Sequence, residues 1–348
     1  EHFNKETGIL SAYRIKLNTE GGLAGDPVQL LAFSDAKRKQ ADIHLIASID
    51  SSKWLIHPKT TGSYDQLPMA VLDRELNPEA KQVAILTKLD KANSREFAID
   101  NQGAIFGLSC LDKPKNKRKA GVPAQEYHLS VFDKSGKATT HLIELHPAYG
   151  SIEASTMSLV PRGDGKVELS GLYKGIGYPG QQVQGVFFTR MDASSGNYEV
   201  EQNWLLDHNF FRRYLPNLNY LDNIPLEKFE VKYMMEDANG GYVMAAEYQS
   251  TRNINIPVMD ILSKAEFEVK PEAIFVFRFD GSGSMTWAHW IDRRQEYINN
   301  YDYKGFSMAV GANGVQICYT YQGNSYNVSA SEIRLVTLTS DGNKYMQV

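Results

Sequence analysis

Two kinds of hairpin alternate along this chain, and their alternation restricts the fold more than any other property of the sequence. In the first kind an apolar strand enters a short Asp/Asn/Gly turn and leaves as a second apolar strand. Such hairpins span 97–110 around Asn101-Gln102-Gly103, 158–173 around Gly163-Asp164-Gly165, 232–248 around Asn239-Gly240 and 307–321 around Asn313-Gly314. A weaker one spans 44–57 around Asp50-Ser51-Ser52. Turn residues of this type tolerate positive φ, which is why such pairs between β-rich flanks signal hairpins. In the second kind the first strand ends at or near an Asp, a polar turn follows, and a further strand returns. These span 128–145, 186–206, 274–291, 333–348, 69–87 and 12–33, the last turning at Gly21-Gly22.

Turns of the second kind recur roughly every 55–60 residues, apart from one stretched gap between Gly196 and Gly281, so one unit is hairpin, loop, hairpin. Four antiparallel strands repeated at that period match a propeller blade. The expected fold is therefore all-β, a β-propeller of about six four-stranded blades forming a single domain over 1–348. The blades fall at 1–35 (partial), 42–90, 95–147, 151–207, 229–292 and 304–348. Two stacked β-sandwiches are the competing arrangement. Six hairpins of the second kind face only five of the first, so the N-terminal blade is expected to be incomplete. Its missing strands would lie upstream of residue 1 or in a continuation beyond Val348. Helix is expected only as a turn or two within 209–220 and 292–301.

Composition agrees with strands: 19 Tyr and 15 Phe among 348 residues favour pleated, half-buried surfaces. A net charge of −4 supplies no global field for nucleic acid, and none is expected as a partner. No run of about 18–20 apolar residues marks a transmembrane segment, and Glu1-His2-Phe3-Asn4-Lys5 is neither a signal peptide nor a start. Two cysteines, Cys110 and Cys318, are too few for a disulfide framework or a four-Cys zinc site. Both fall in strands of blades far apart in a ring, and both are expected to be buried free thiols.

In such a blade the two hairpin turns share one side, and the long connections share the other. The long segments are 111–126, 173–184, 249–272, 207–229 and 292–305, and all five fall on that second side. Loops on a rigid scaffold carry binding residues, so this side is the expected partner-binding face. Its candidates are Lys115, Lys117 and Arg118 in a basic run, with Phe211, Arg212, Arg213 and Tyr214, and Tyr297, Tyr301 and Tyr303 in aromatic runs. Tyr, Trp and Arg dominate interface hot spots because they bury much area at low entropic cost. The same residues also suit solvated loops or loops packed on the scaffold.

Chemistry-bearing motifs are missing. There is no His-Glu-x-x-His, no Cys-x-x-Cys and no twelve-residue calcium loop, so neither metal nor cofactor is expected. Gly281-Ser282-Gly283-Ser284 has the composition of a nucleophile elbow but lies in a hairpin turn. No catalytic residue can be assigned. His44, His57, His128, His141 and His289 lie in or beside strands, where a hydrogen-bonded structural role is expected.

Ser48-Ile49-Asp50-Ser51-Ser52-Lys53-Trp54 departs from the sialidase Asp-box, with Ser52 in place of Gly and Trp54 one place early. The stretches Ala98-Ile99-Asp100-Asn101-Gln102-Gly103 and Val131-Phe132-Asp133-Lys134-Ser135-Gly136 are similar to the blades of uncharacterised extracytoplasmic β-propeller proteins of Bacteroidetes-type bacteria. The resemblance spans most of the chain and rests on turn motifs. It implies an envelope location, in the periplasm or at the outer-membrane surface, and a scaffold or binding role within a larger assembly. A protein partner, a membrane-protein complex included, is thus expected for a non-enzymatic scaffold. The alternative is a glycan-binding or glycan-cleaving propeller.

Overall fold

The computed structural model describes residues 2–4, 6–34, 43–58, 66–85, 94–112, 125–133, 136–145, 152–175, 184–215, 229–255, 265–293, 297–298, 305–322 and 331–347. Its described residues form antiparallel sheets and one short helix. An N-terminal sheet holds β1 (His2–Asn4), β2 (Ile9–Arg14) and β3 (Val28–Ser34). The second holds β4 (Ile43–Ala47), β5 (Lys53–Pro58), β6 (Gln66–Asp73) and β7 (Pro78–Ile85). The third runs β8 (Ser94–Ile99), β9 (Ile105–Asp112), β10 (Gln125–Phe132) and β11 (Ala138–Ile143). The fourth runs β12 (Ile152–Pro161), β13 (Lys166–Gly175), β14 (Gly185–Asp192) and β15 (Tyr198–Leu205), and α1 (His208–Tyr214) follows it. The fifth runs β16 (Phe229–Glu236), β17 (Tyr242–Asn255), β18 (Ala265–Phe279) and β19 (Met285–Asp292), with β20 (Tyr297–Ile298) paired to β18. The last runs β21 (Phe306–Gly311), β22 (Gly314–Gln322), β23 (Ser331–Leu338) and β24 (Lys344–Gln347).

The described residues are all-β, and five of their sheets have the four-stranded order expected of a blade, rather than about six. The N-terminal sheet has three strands, and the first of them pairs over only three residues, His2 to Asn4 against Ser11 to Ile9. By contacts the chain forms two compact units. One comprises Glu1–Glu144, Pro161–Glu168 and Met191–Asn197; the other comprises Leu145–Val160, Leu169–Arg190 and Tyr198–Val348.

The turns share one design. Asp100 accepts the backbone N–H of Gln102 at 2.9 Å and of Ala104 at 2.8 Å. Gly103 N–H closes the turn onto the Asp100 carbonyl with φ +87°, a left-handed conformation that costs glycine nothing. Asp237 and Asp280 accept two N–H groups in the same pattern, and Asp133 accepts one from Lys137. These short polar side chains compete well for backbone donors, which is why Asp opens the turns.

The turns also join neighbouring sheets. His141 Nε2 lies 3.0 Å from the Ala193 carbonyl, and His289 Nε2 lies 2.9 Å from that of Gly342. A Cβ at Gly196 would come within 2.5 Å of the His141 ring, so this approach requires glycine.

Successive side chains of a strand point to opposite faces, and here both faces are covered. In the first unit Leu55, Leu67, Met69 and Val71 pack against Phe97, Ile99, Ile105 and Phe132. The alternate set, Ile56, Ala70 and Leu72, packs against Ala12, Leu30 and Leu31. In the second unit Tyr242, Met244, Phe275, Phe277 and Phe279 join Val160, Leu172, Val186 and Phe188, while Val243, Ala245, Ile274 and Val276 face Ile317 and Val336. Burial on both faces explains why these strands read as continuous apolar runs.

Three further expectations are corrected. Residues 249–255 and 265–272 of the expected loop are strand: β17 and β18 pair on from Gln249↔Pro271 to Asn255↔Ala265, beyond a bulge at Tyr248/Gln249, and 256–264 lie outside the described residues. Strand β20 adds to this extension through Glu268↔Ile298 and Val269↔Tyr297, where a helical turn was expected. Cys318 is exposed, whereas Cys110 is buried as expected, and neither forms a disulfide.

Candidate interaction site

Helix α1 is the described element that presents the sequence candidates. Asp207 caps it, its carboxylate accepting the Phe210 N–H at 2.8 Å, and Leu215 N–H closes it onto the Phe211 carbonyl. Such a cap satisfies donors that the first turn leaves open. Phe210 and Phe211 are buried, Arg212 and Arg213 are exposed, and Tyr214 is half-buried.

The two Phe rings seat the helix on the fifth sheet. Phe210 lies 6.4 Å from Phe275 and 6.5 Å from Phe277, and Phe211 stacks on Phe275 at 6.4 Å. Phe229 and Trp290 continue this aromatic layer at 6.1 and 5.7 Å from Phe275. Phe211 therefore anchors the helix from within. The Arg213 guanidinium lies 5.1 Å from the Tyr214 ring centre, a cation–π distance. The helix thus presents two arginines and a Tyr edge from a seat made of aromatic rings, with both arginines in its last turn, where cations suit the helix dipole.

Of the remaining candidates, Tyr297 lies in β20, against Val269. Lys115, Lys117, Arg118, Tyr301 and Tyr303 lie outside the described residues. The structure thus brings together Arg212, Arg213 and Tyr214.

Just past the end of β19 lies a polar group that sequence reading missed. Arg293 and Glu247 are buried and bonded, Arg293 NH1 donating to Glu247 Oε1. Arg293 NH2 also donates to the Gly305 carbonyl at 2.5 Å. Nearby, the Tyr233 hydroxyl donates to the Phe306 carbonyl at 2.8 Å, and burial, then the Glu247 charge, push its pKa up. Nothing in the local sequence marks Glu247, whose neighbours in β17 are strand-core residues. Among the described residues no group of three or more His, Cys, Asp or Glu side chains is arranged to hold a metal ion, and no helix is long and apolar enough to cross a membrane.

No family model and no curated protein matches the chain. Among solved structures, it is similar to a protein of unknown function from Bacteroides caccae, with 10% identity, a TM-score of 0.34, and coverage of 76% of this chain and 72% of that one. A polysaccharide lyase of family PL25, an ulvan lyase, has 10% identity and a TM-score of 0.39 over 90% of this chain and 80% of its own. A subtype N11 neuraminidase-like protein of A/flat-faced bat/Peru/033/2010 (H18N11) has 12% identity and a TM-score of 0.31, covering 85% of this chain and 67% of that one. Likeness at this level transfers no residue role.

Proposed function

We propose that this chain is a non-enzymatic interaction scaffold of the bacterial cell envelope, in the periplasm or at the outer-membrane surface. In this reading it docks a protein partner, as a subunit of a larger assembly, through the side that carries its long connections. The observation that supports it most is α1: a capped helix held by two buried Phe rings that presents Arg212 and Arg213 together with Tyr214. A pre-formed platform lowers the ordering cost of association, and Arg and Tyr are the residues whose truncation most often removes binding energy. The scaffold beneath it, a blade buried on both faces, supplies rigidity.

The test is capture of partners from native envelope by the purified chain, compared with the double variant Arg212→Ala/Arg213→Ala. Both arginines point to solvent, so the variant keeps its fold. Recovery of a defined partner should fall at least tenfold. Equal recovery by the variant would remove the α1 assignment. Saturable binding to polysaccharide with no protein partner would instead favour the glycan reading.

A further inference from the structure

In the second sheet His44 and His57 stand directly opposite each other in the β4–β5 ladder. Opposed residues of an antiparallel pair share a face, and the two ring centres are 5.3 Å apart at an interplanar angle of 60°. His57 is 5% exposed, with the Phe97 ring edge-on at 4.9 Å, whereas His44 is exposed. Nδ1 of His57 lies 3.0 Å from the Pro58 carbonyl oxygen. A carbonyl only accepts, so Nδ1 carries the hydrogen and donates it. That bond fixes the tautomer and leaves the lone pair on Nε2, a buried atom with no hydrogen-bond partner among the described residues.

We propose that His44 and His57 form an open bis-histidine site for a borderline divalent transition ion, Zn2+ or Cu2+. A metal-ligating imidazole characteristically gives its other N–H to a backbone carbonyl or carboxylate, which orients the ring; Pro58 fills that role here. With metal–nitrogen distances of about 2.0–2.1 Å, two imidazoles on one tetrahedral ion place their ring centres about 5 Å apart, close to the separation seen. Two nitrogen donors suit Zn2+ or Cu2+ and not Mg2+ or Ca2+, which take oxygen. Burial lowers the His57 pKa to about 4, so the ring is neutral and ready to coordinate at neutral pH. The remaining coordination positions open on the His44 side, for water or an oxygen group of a bound molecule.

The full chain, stripped with EDTA and then freed of it, is titrated with Zn2+ by calorimetry and with Cu2+ under electron paramagnetic resonance. One saturable equivalent and nitrogen hyperfine structure from two imidazoles are expected. His44→Gln, at an exposed strand position, should weaken binding at least tenfold while leaving the metal-free melting temperature unchanged. His57→Leu should do likewise where it folds, and His128→Gln/His208→Gln should bind as the parent does. Absence of saturable binding in the parent, or an unchanged affinity in His44→Gln, would overturn the site.

Discussion

The second sheet (β4–β7) and the fifth (β16–β19) have the same four-stranded topology and are packed on both faces, yet they place their irregular residues differently. Both turns of the fifth sheet put glycine at the left-handed position, Gly240 at φ +71° and Gly283 at φ +85°. The second sheet puts Ser51 there at +56° and Leu76 at +61°. The fifth buries an ion pair, Glu247 with Arg293, and the second buries a neutral imidazole, His57. Antiparallel sheets of the same strand order therefore tolerate either an ionised pair inside with relaxed turns, or a neutral polar group inside with strained ones.

The ion pair should give the largest response. Arg293→Met removes one partner of the buried pair and should cost about 3–5 kcal/mol, the usual penalty for breaking such a pair from one side. Adding Glu247→Leu should recover a large part of that loss, because replacing both partners by apolar residues is often close to neutral. Urea unfolding of the single and double variants measures both. A single variant within about 0.5 kcal/mol of the parent would show that the pair is solvated in solution.

The buried imidazole of His57 should respond to acid. Burial holds its folded pKa at about 4, against an ordinary value of 6.5. Between those two values the unfolded chain binds a proton that the folded chain refuses. The stability due to His57 is thus complete above pH 6.5 and is lost as pH falls towards 4. Its size is about 2–3 kcal/mol. Unfolding in the presence of a chelator from pH 7 to pH 4 should show this loss in the parent and a flatter profile in His57→Leu. His289 of the fifth sheet, also lowered by burial, adds a contribution of the same sign to both profiles.

Much of this architecture was legible because turns carry local chemistry. Asp100 to Gly103 and Asp237 to Gly240 announce hairpins through residues that must accept N–H groups or adopt positive φ. The 249–255 stretch, Gln249-Ser250-Thr251-Arg252-Asn253-Ile254-Asn255, lacks apolar alternation, so its strand character comes from pairing with β18 rather than from the local pattern. Phe211 was misplaced for a related reason. In a loop it reads as an exposed aromatic, but one helical turn sets Phe210 against Tyr214, with ring centres 4.8 Å apart, and turns Phe211 inwards. The arginine pair, flanked by these rings, keeps the exposed side. Glu247 gave no signal, and His57 was legible only as a hydrogen-bonded strand residue, since burial of a polar group is decided by which sheet lies opposite.

The turns give the smallest response and the sharpest contrast. Ser51 is exposed and closes its turn through its backbone N–H, 2.9 Å from the Ser48 carbonyl, so a glycine there would keep that bond. A non-glycine residue in the left-handed region costs about 1 kcal/mol, partly offset by the extra freedom glycine has when unfolded. Ser51→Gly should therefore stabilise the protein by a few tenths to about 1 kcal/mol. The reciprocal change, Gly240→Ser, meets no atom within 4 Å of the new Cβ, so sterics do not confound it. It should destabilise by about 1 kcal/mol through backbone strain alone. If denaturant midpoints move in the same direction for both variants, the left-handed position is not what separates these two sheets. Leu76→Gly makes a poorer probe, because Leu76 packs against the core that Ile56, Ala70 and Leu72 share with the N-terminal sheet, and a lost contact would mask the relieved strain.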